Sequence, residues 1–354
     1  MMRITDIHLR DFRSYERFDL ETPGKLTILV GPNAVGKTNI VEAVQLLTAG
    51  QTFRHARTAE IIRAGTTAGR AQIGLSDGDR QLETALILGE RSRKYTLNSK
   101  PKRVVDIRGL APSVTFTPDD LELMKGSPAA RRSALDVLGM QLNKNYQVIL
   151  QDYLKVLQHK NHLLKDGYVE MLDALNEMYV KVAAQLQSYR SALFAKLEPK
   201  IAAHYGHISG GEELRGEYRA SGNEAPEHDL AASVASHRET ELAARRVLIG
   251  PNHDRITFTI GGMDAGKFAS QGQQRSAVLA WKLAEAEVIE EMLGTLPILL
   301  LDDVMSELDG QRRSALVAYL ERDAQAFITT ANLDYFEKKE LLDAQVVKLP
   351  LKQA

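Results

Sequence analysis

The sequence contains the stretch Gly31-Pro32-Asn33-Ala34-Val35-Gly36-Lys37-Thr38, which has the pattern G-x-x-x-x-G-K-T of a phosphate-binding loop. The uncharged run Leu26–Val30 comes directly before it and predicts a strand buried on both faces. After it, apolar residues recur at helical spacing, at Ile40, Val41, Val44 and Leu47. Strand, glycine turn and helix form the context in which backbone N–H groups bind phosphate oxygens. All eight residues, here called the phosphate loop, are therefore predicted to bind ATP or GTP.

Two side chains of the phosphate loop have predicted roles of their own. Lys37 is expected to reach the β- and γ-phosphates, and the Thr38 hydroxyl is expected to bind Mg²⁺. Gly31 and Gly36 lack a Cβ, so the chain can curl closely around a triphosphate. The alternative is a glycine turn before an ordinary helix, and the agreement of pattern and context favours the nucleotide site.

Composition indicates a globular protein of about two domains. The chain has 354 residues, of which 44% are hydrophobic and 26% charged. Its net charge is −1, so any nucleic-acid surface must be local. It contains no cysteine, which excludes disulfides and thiolate metal sites and suits a reducing cytoplasm. The charged start and the short aliphatic runs predict neither a signal peptide nor a membrane span.

The first 120 residues have the pattern of a sheet protein. Two strands are predicted within residues 3–30, and short alternating segments between 51 and 118 predict an antiparallel sheet. One segment is strongly basic and predicts a hairpin that turns near Asn98 and Ser99. Its cations, here called the basic hairpin, are Arg91, Arg93, Lys94, Lys100, Lys102 and Arg103.

After Pro118 the pattern becomes helical. Apolar residues predict a pair of antiparallel helices over 143–198, the second of them ending at Pro199. A small packed subdomain is the simpler interpretation of this pair, and a partner-binding arm is the alternative. Residues 206–228 are predicted to be irregular, followed by a helix over 229–246 and a strand over Arg255–Ile260.

Two carboxylates follow an aliphatic strand in the last third of the chain. Ile298-Leu299-Leu300-Leu301 leads into Asp302 and Asp303. The C-terminal ends of parallel strands meet at one edge of a sheet, so Asp302 is predicted to bind Mg²⁺ beside the phosphate loop. Asp303 is predicted to polarise the attacking water and, with Lys37, to be catalytic. Alternatively the strand ends in a solvated acidic turn, but the phosphate loop elsewhere in the chain favours the metal site.

A second phosphate site is predicted at the start of the helix that precedes this strand. It consists of Ser270, Gln271, Gly272, Gln273 and Gln274. Ser270 and Gln273 fit a capping box, which explains those two residues structurally. Gly272 costs about 1 kcal/mol relative to alanine in a helical turn. A glycine there makes sense if an anion approaches the helix N-terminus closely.

The order of these motifs resembles the ATP-binding-cassette (ABC) superfamily, in which a signature helix lies between the two nucleotide motifs. Ser306-Glu307-Leu308-Asp309 after the acidic strand is similar to that superfamily's D-loop. The resemblance implies that Ser270–Gln274 bind the γ-phosphate held by an opposite subunit. It therefore implies a head-to-tail dimer with two ATP molecules in the interface.

Further segments resemble the bacterial RecF recombination-mediator family along the whole chain. They are Leu9-Arg10-Asp11-Phe12-Arg13-Ser14-Tyr15, Thr52-Phe53-Arg54, residues 116–126 with Arg131-Arg132, and Gly250-Pro251. The resemblance implies ATP-dependent dimerisation on DNA, a weak DNA-stimulated ATPase that resets the dimer, and Arg13 as a nucleotide contact. It also implies cooperation with RecR and RecO to load recombinase RecA at gapped or blocked forks in replication, repair and the SOS response. Residues 252–255 depart from the family pattern, so their role is open.

These observations predict an α/β protein with an ABC-type ATPase head. Lobe I, with a mixed sheet and an antiparallel β subdomain, is predicted at 1–120 and 295–354, and a mainly helical lobe II at 121–294. SMC proteins look like relatives, but the 143–198 insertion is far shorter than their coiled coils. Sequence-independent DNA binding is predicted at the basic hairpin, with a solvated hairpin as the alternative.

Two other functions are weighed against this one. A membrane transporter's nucleotide-binding subunit would carry a switch histidine where Thr329-Thr330 stand and a glutamine near residues 116–120; the chain has neither. A small-molecule phosphoryl-transferase would carry an arginine-bearing lid behind the phosphate loop and no signature helix.

Overall fold

The structure, a computed structural model, describes residues 1–54, 56–167, 169–222, 229–336, 341 and 343–350. The chain divides into two compact units: a first unit of Met1–Asp120 with Lys282–Ala354, and a second unit of Leu121–Trp281. The division falls inside a helix, whereas the sequence predicts the boundary after that helix, at 294/295. Residues 223–228, the end of the segment predicted to be irregular, lie outside the described residues.

The strands, in chain order, are short. They are β1 (Arg3–Phe12), β2 (Tyr15–Glu21), β3 (Leu26–Val30), β4 (Ala68–Ser76), β5 (Gln81–Gly89), β6 (Ser92–Leu97), β7 (Lys100–Lys102), β8 (Ser113–Phe116), β9 (Leu214–Arg219), β10 (Arg255–Ile260), β11 (Met263–Asp264), β12 (Ile298–Asp302), β13 (Ala326–Thr330) and β14 (Ala344–Lys348).

The α-helices vary more in length. They are α1 (Lys37–Thr48), α2 (Thr58–Ile61), α3 (Val104–Ile107), α4 (Glu122–Lys125), α5 (Pro128–Leu142), α6 (Lys144–Asp166), α7 (Leu172–Ser209), α8 (Leu230–Ser236), α9 (Arg238–Ala244), α10 (Ala265–Phe268), α11 (Gln271–Leu293) and α12 (Gly310–Leu320). Short 3₁₀ turns lie at Pro118–Leu121, Val169–Met171, Pro251–His253, Met305–Glu307 and Leu333–Tyr335. None of the helices within the described ranges is both long and apolar enough to cross a bilayer.

A parallel sheet with the order β14-β3-β13-β12-β8 lies at the centre of the first unit. Every described pairing in this sheet is parallel. Each residue of β12 and of β13 is buried, which explains the aliphatic run before Asp302. Because neighbouring strands point the same way, the C-terminal ends of β3, β12 and β13 share one edge, and the phosphate loop starts there.

The second sheet of this unit is antiparallel, with the order β2-β1-β4-β5-β6-β7. One core cluster joins it to helix α1 and the parallel sheet: it includes Ile7 and Ile73 from the antiparallel sheet, Val44 from α1, and Leu300 and Phe327 from the parallel sheet. The fold is therefore α/β with an antiparallel subdomain, and it confirms the predicted fold class.

Strands β6 and β7 form the predicted hairpin, and the cations named the basic hairpin lie on these strands or next to them. Leu97 pairs with Lys100, and the turn residues Asn98 and Ser99 have φ of 49° and 62°. Positive φ at both central residues is the geometry of a tight two-residue turn that matches the twist of the strands.

The second unit is largely helical. Helices α6 and α7 pack against each other and against α5, and they form the predicted pair. The predicted end of the second helix is wrong, because α7 continues through Pro199 to Ser209. A proline inside a helix removes one backbone hydrogen bond. The stripe continues beyond it with Ile201, Tyr205 and Ile208, all buried, and this packing offsets the loss. The single helix predicted over 229–246 is instead two short helices, α8 and α9.

Asp254 organises a buried polar cluster in the second unit. Its side chain is fully buried and accepts hydrogen bonds from Arg190 at 2.9 Å, Tyr218 at 2.6 Å and Gln187 at 2.8 Å. Arg190 also pairs with Asp136 at 2.8 Å. Hydrogen bonds and an ion pair of this kind offset the cost of burying a polar side chain. The segment that departs from the family pattern therefore has a structural role at Asp254.

Candidate nucleotide site

The phosphate loop connects β3 to α1, and its glycines pack tightly against neighbouring backbone and side-chain atoms. Gly36 has φ of +107° and precedes the first residue of α1. A Cβ on Gly36 would lie 2.9 Å from the Tyr15 hydroxyl, and a Cβ on Gly31 would lie 2.6 Å from the Leu349 carbonyl oxygen. Both positions thus require glycine for packing as well as for approach to a ligand, a reason that the motif alone does not reveal.

Lys37 folds back across the loop. Its ammonium donates hydrogen bonds to the carbonyl oxygens of Gly31 at 2.8 Å and Pro32 at 3.0 Å, and the residue is buried. Pro32, Asn33 and Ala34 are exposed on the outer side of the loop. The loop therefore holds a positive charge at its centre, next to the N-terminus of α1, and both attract anions.

Thr38 and Asp302 meet directly, although 264 residues separate them in the chain. The Thr38 hydroxyl donates a hydrogen bond of 2.9 Å to Oδ1 of Asp302. The same oxygen accepts a bond of 2.8 Å from the hydroxyl of Thr329 on β13. The structure thus brings the two predicted metal ligands together and adds Thr329, which sequence reasoning missed. The only indication of Thr329 in the sequence was that a polar residue stands at the end of a buried strand.

The chemistry of this pair fits Mg²⁺. The pKa of Asp302 is raised, because the effect of burial exceeds that of the hydrogen bonds from Thr329 and Thr38 and of the charge of Arg54, which lower it. A cation beside the carboxylate would relieve the cost of burying its charge. Mg²⁺ in nucleotide sites is held by one or two protein oxygens together with phosphates and water. The described residues contain no cluster of three or more His, Cys, Asp or Glu side chains suited to a metal.

Asp303 follows in a strained conformation. Its φ is 55°, in the left-handed region that a residue with a Cβ rarely adopts. Its backbone N–H donates to the Thr329 hydroxyl at 2.9 Å, and its carbonyl accepts from Ser306 at 3.0 Å. Strain of this kind costs about 1–3 kcal/mol and persists where the surroundings impose it, often at functional sites.

Arg13 does not point freely into the loop. Its guanidinium makes two bonds, of 2.9 and 2.6 Å, to Glu42, which is fully buried on α1. Glu42 also accepts from Thr52 at 2.5 Å and lies 3.5 Å from Arg54. Arg13 thus braces the helix behind the phosphate loop in this structure. Of the two arginines near Glu42, Arg54 is the less tightly held, and it also donates to Asn39 at 2.9 Å. In the sequence, only the motif Thr52-Phe53-Arg54 pointed to this residue.

Ser270–Gln274, the predicted second phosphate site, lie at the start of helix α11 in the second unit. The Ser270 N–H donates to the Gln273 side chain at 2.8 Å, and the Gln273 N–H donates to the Ser270 hydroxyl at 3.2 Å. This is the predicted capping box. Ser270 and Gln271 are exposed. The side chain of Gln274 donates to the Ala269 carbonyl, and that of Gln273 donates to Glu212.

The segment near residue 120 has no glutamine, and the side chain of Asp120 is engaged by other protein groups. Asp120 accepts a hydrogen bond of 2.6 Å from the Thr117 N–H and pairs with Lys282 at 3.0 Å. Lys282 lies on α11 and is largely buried. Asp119 is exposed. The carboxylate of Asp120 therefore fixes the 117–120 turn to α11.

The basic hairpin presents most of its charge to solvent. Arg91, Lys94, Lys100, Lys102 and Arg103 are exposed. Arg93 is held by the Ala56 carbonyl at 2.7 Å and the Thr58 hydroxyl at 3.1 Å. Arg103 lies 3.5 Å from Asp106.

Comparisons with known proteins show the family to which the chain belongs. Residues 3–349 match the family model described as RecF/RecN/SMC N terminal domain. The DNA replication and repair protein RecF of Moorella thermoacetica is 35% identical over 340 residues, which cover 94% of this chain and 90% of that protein. The RecF of Gloeobacter violaceus is 35% identical over 365 residues, covering 98% and 97%.

The chain belongs to the RecF family.

Solved structures extend this result to the fold. The structure of the recombination mediator RecF with ATP has a TM-score of 0.88 and 29% identity, covering 95% of this chain and 94% of that one. An Smc head domain from Pyrococcus furiosus shares the fold alone, with a TM-score of 0.56 and 17% identity. This RecF-family chain therefore has the head-domain fold of ABC and SMC ATPases.

We predict that Gly36→Ala weakens ATP binding by at least about tenfold, because the new Cβ forces strain at a positive φ and displaces Tyr15. Titration with a fluorescent ATP analogue measures this. Gly24→Ala is the matched control, since a Cβ there meets nothing closer than 3.9 Å. Equal affinity of the Gly36 variant and the wild type would contradict the proposed placement of the nucleotide.

Proposed function

We propose that the chain is a recombination-mediator ATPase that binds DNA and ATP and dimerises on ATP. With RecR- and RecO-type partners it helps load recombinase RecA at gapped or blocked forks, in the cytoplasm, during repair, replication and the SOS response. The observation that carries this proposal is the 2.9 Å bond between Thr38 and Asp302. It joins the two nucleotide motifs into one site in a chain that belongs to the RecF family.

The nucleotide site supports slow ATP hydrolysis. Lys37 and the loop amides would bind the phosphates, and Thr38 with Asp302 would hold Mg²⁺. An ion held there would supply positive charge against the charge that develops on the phosphates. Asp303 stands one residue beyond the metal ligand, where its carboxylate can accept a proton from the attacking water. Hydrolysis, stimulated by DNA, resets the protein.

Asp303→Asn is expected to slow ATP turnover by about 100-fold or more, because an amide cannot act as a general base. Asparagine tolerates positive φ, so the backbone at this position is retained. Steady-state phosphate release measures turnover, and ATP affinity should stay unchanged. Asp79→Asn, on an exposed loop of the same unit, is the control. Normal turnover in the Asp303 variant would remove this residue from the mechanism.

Dimerisation follows from the exposed start of α11. Ser270 and Gln271 are exposed at the N-terminus of a long helix, a place that attracts a phosphate. A nucleotide bound to a second copy would supply one, as the resemblance to ABC proteins implies. Two such contacts, related by a twofold axis, bury both ATP molecules between subunits.

Ser270→Arg should weaken ATP-dependent dimerisation by at least about tenfold, because the long side chain occupies space needed by the phosphate. Sedimentation velocity with a slowly hydrolysed ATP analogue reports the oligomeric state. Nucleotide binding by the monomer should persist. Ser236→Arg, at an exposed site of the same unit, should leave dimerisation intact. A Ser270 variant that binds nucleotide and dimerises normally would refute the role in trans.

DNA binding is assigned to the basic hairpin. Its exposed lysines and arginines are concentrated on two strands of a chain whose net charge is −1. Such a cluster neutralises backbone phosphates without reading bases, so binding should be independent of sequence and sensitive to salt.

Neutralising Lys100, Lys102 and Arg103 to glutamine should reduce the salt slope of duplex binding by up to about 3 units, since each lost phosphate contact removes about 0.9 unit. Fluorescence anisotropy at several salt concentrations measures the slope. The control variant neutralises Lys155, Lys165 and Lys181, which are exposed on α6 and α7. If both triple variants keep the wild-type slope, the hairpin is not the contact surface.

A further inference from the structure

A cleft opens beside the basic hairpin, where β7 ends and the chain turns into α3. Its volume is about 510 Å³, within the range of about 300–1,000 Å³ that small-molecule sites occupy. Strand β7 pairs with β6 only from Tyr95 to Leu97. The preceding residues of β6, Arg93 and Lys94, line one side of the cleft. All of the residues that line the cleft belong to the first unit.

Four cations line this cleft: Arg93, Lys94, Lys102 and Arg103. Its lining within the described part of the chain includes no acidic residue. Arg93 is fixed in place by its bonds to Ala56 and Thr58. Lys94 and Lys102 are exposed, and among the described residues neither forms an ion pair. Lys94 and Lys102 are suited to an anion, because no described carboxylate pairs with them, whereas Arg103 lies 3.5 Å from Asp106.

The cleft also has an apolar surface. Ile87 is 42% exposed in the middle of β5, and its cross-strand partner is Lys94. Tyr95 also lines the cleft, but its side chain is buried in the core, with its hydroxyl donating to the Leu46 carbonyl at 3.3 Å. A phosphate alone leaves this apolar surface in water, whereas a ligand with both a phosphate and a flat ring covers it.

We propose that the cleft binds one unpaired nucleotide of the DNA strand that the basic hairpin holds. Its phosphate pairs with Lys94, and its base packs on Ile87, which lies directly opposite Lys94 on the same face of the sheet. A paired base cannot do this, because it remains stacked inside the duplex. The inference rests on the proposed DNA binding and adds a site for an unstacked base, which contributes affinity that is tolerant of base identity.

Three DNA duplexes of one length test the proposal in wild-type protein with ATP and Mg²⁺. One is perfectly paired, one has a single extra unpaired adenosine, and one has the same extra position as an abasic tetrahydrofuran. The last two carry equal charge, so their difference isolates the base. The adenosine duplex should bind at least about fivefold tighter than the abasic one, the lower end for packing one base on a protein surface. Equal affinities would overturn the proposal without need of any variant.

Variants then locate the site. Ile87→Asn removes the apolar contact without changing charge, so it should abolish the fivefold difference and leave perfect-duplex affinity and salt slope unchanged. Val148→Asn is the matched control, an exposed apolar residue on α6 with 49% exposure. A difference that survives in Ile87→Asn, or one that is lost in Val148→Asn, would show that the base binds elsewhere. If no duplex binds to the wild type at all, the proposed DNA binding fails; if duplexes bind equally, only the cleft assignment fails.

Discussion

Two hydrogen bonds to one oxygen, Oδ1 of Asp302, determine the geometry of the nucleotide site. They come from Thr38 on α1 and Thr329 on β13. In the sheet, β13 lies between β3 and β12, and Thr329 pairs with Leu29 on one side and Asp302 on the other. A shift of register by one residue would turn Asp302 to the opposite face. The parallel sheet is therefore the constraint that brings loop and carboxylate together, and the strained backbone at Asp303 is held by the same threonine.

The sequence predicted the parts of this site that depend on local pattern. The buried runs before Gly31 and Asp302 are continuous and aliphatic, and the edge shared by parallel strands then places their C-terminal residues side by side. Local patterns of this kind do not show which side chains from distant parts of the chain will form hydrogen bonds or ion pairs with the site. The bond from Thr329 and the Arg13–Glu42 pair depend on how separate elements dock, so neither could be predicted. The end of α7 was mispredicted for a related reason, since packing of Ile201, Tyr205 and Ile208 outweighs the local effect of Pro199.

Both units contain buried charged pairs. In the first unit the fully buried Glu42 pairs with Arg13, whereas the basic hairpin keeps most of its cations in water, at little energetic cost. In the second unit several charges are internal: Lys160 and Glu241 pair at 2.7 Å, both almost fully buried, and the Lys160 ammonium lies 4.5 Å from the centre of the Tyr179 ring. Burial lowers the pKa of Lys160, and the pairing with Glu241 raises it. Buried pairs of this type add little net stability, but removal of one partner leaves an isolated charge and is strongly destabilising.

The strand order of the parallel sheet has a consequence for biosynthesis. The second unit is one continuous stretch, Leu121–Trp281, so it can complete its core while the ribosome is still translating. The sheet of the first unit cannot, because β12, β13 and β14 are synthesised last and β3 pairs with both β13 and β14. Until those final segments emerge, the edges of β3 have no strand to pair with, although α1 can already pack against the antiparallel sheet. Nascent chains of this architecture therefore expose aggregation-prone surface for most of their synthesis, and chaperones that bind such surfaces are expected to engage the N-terminal segment first.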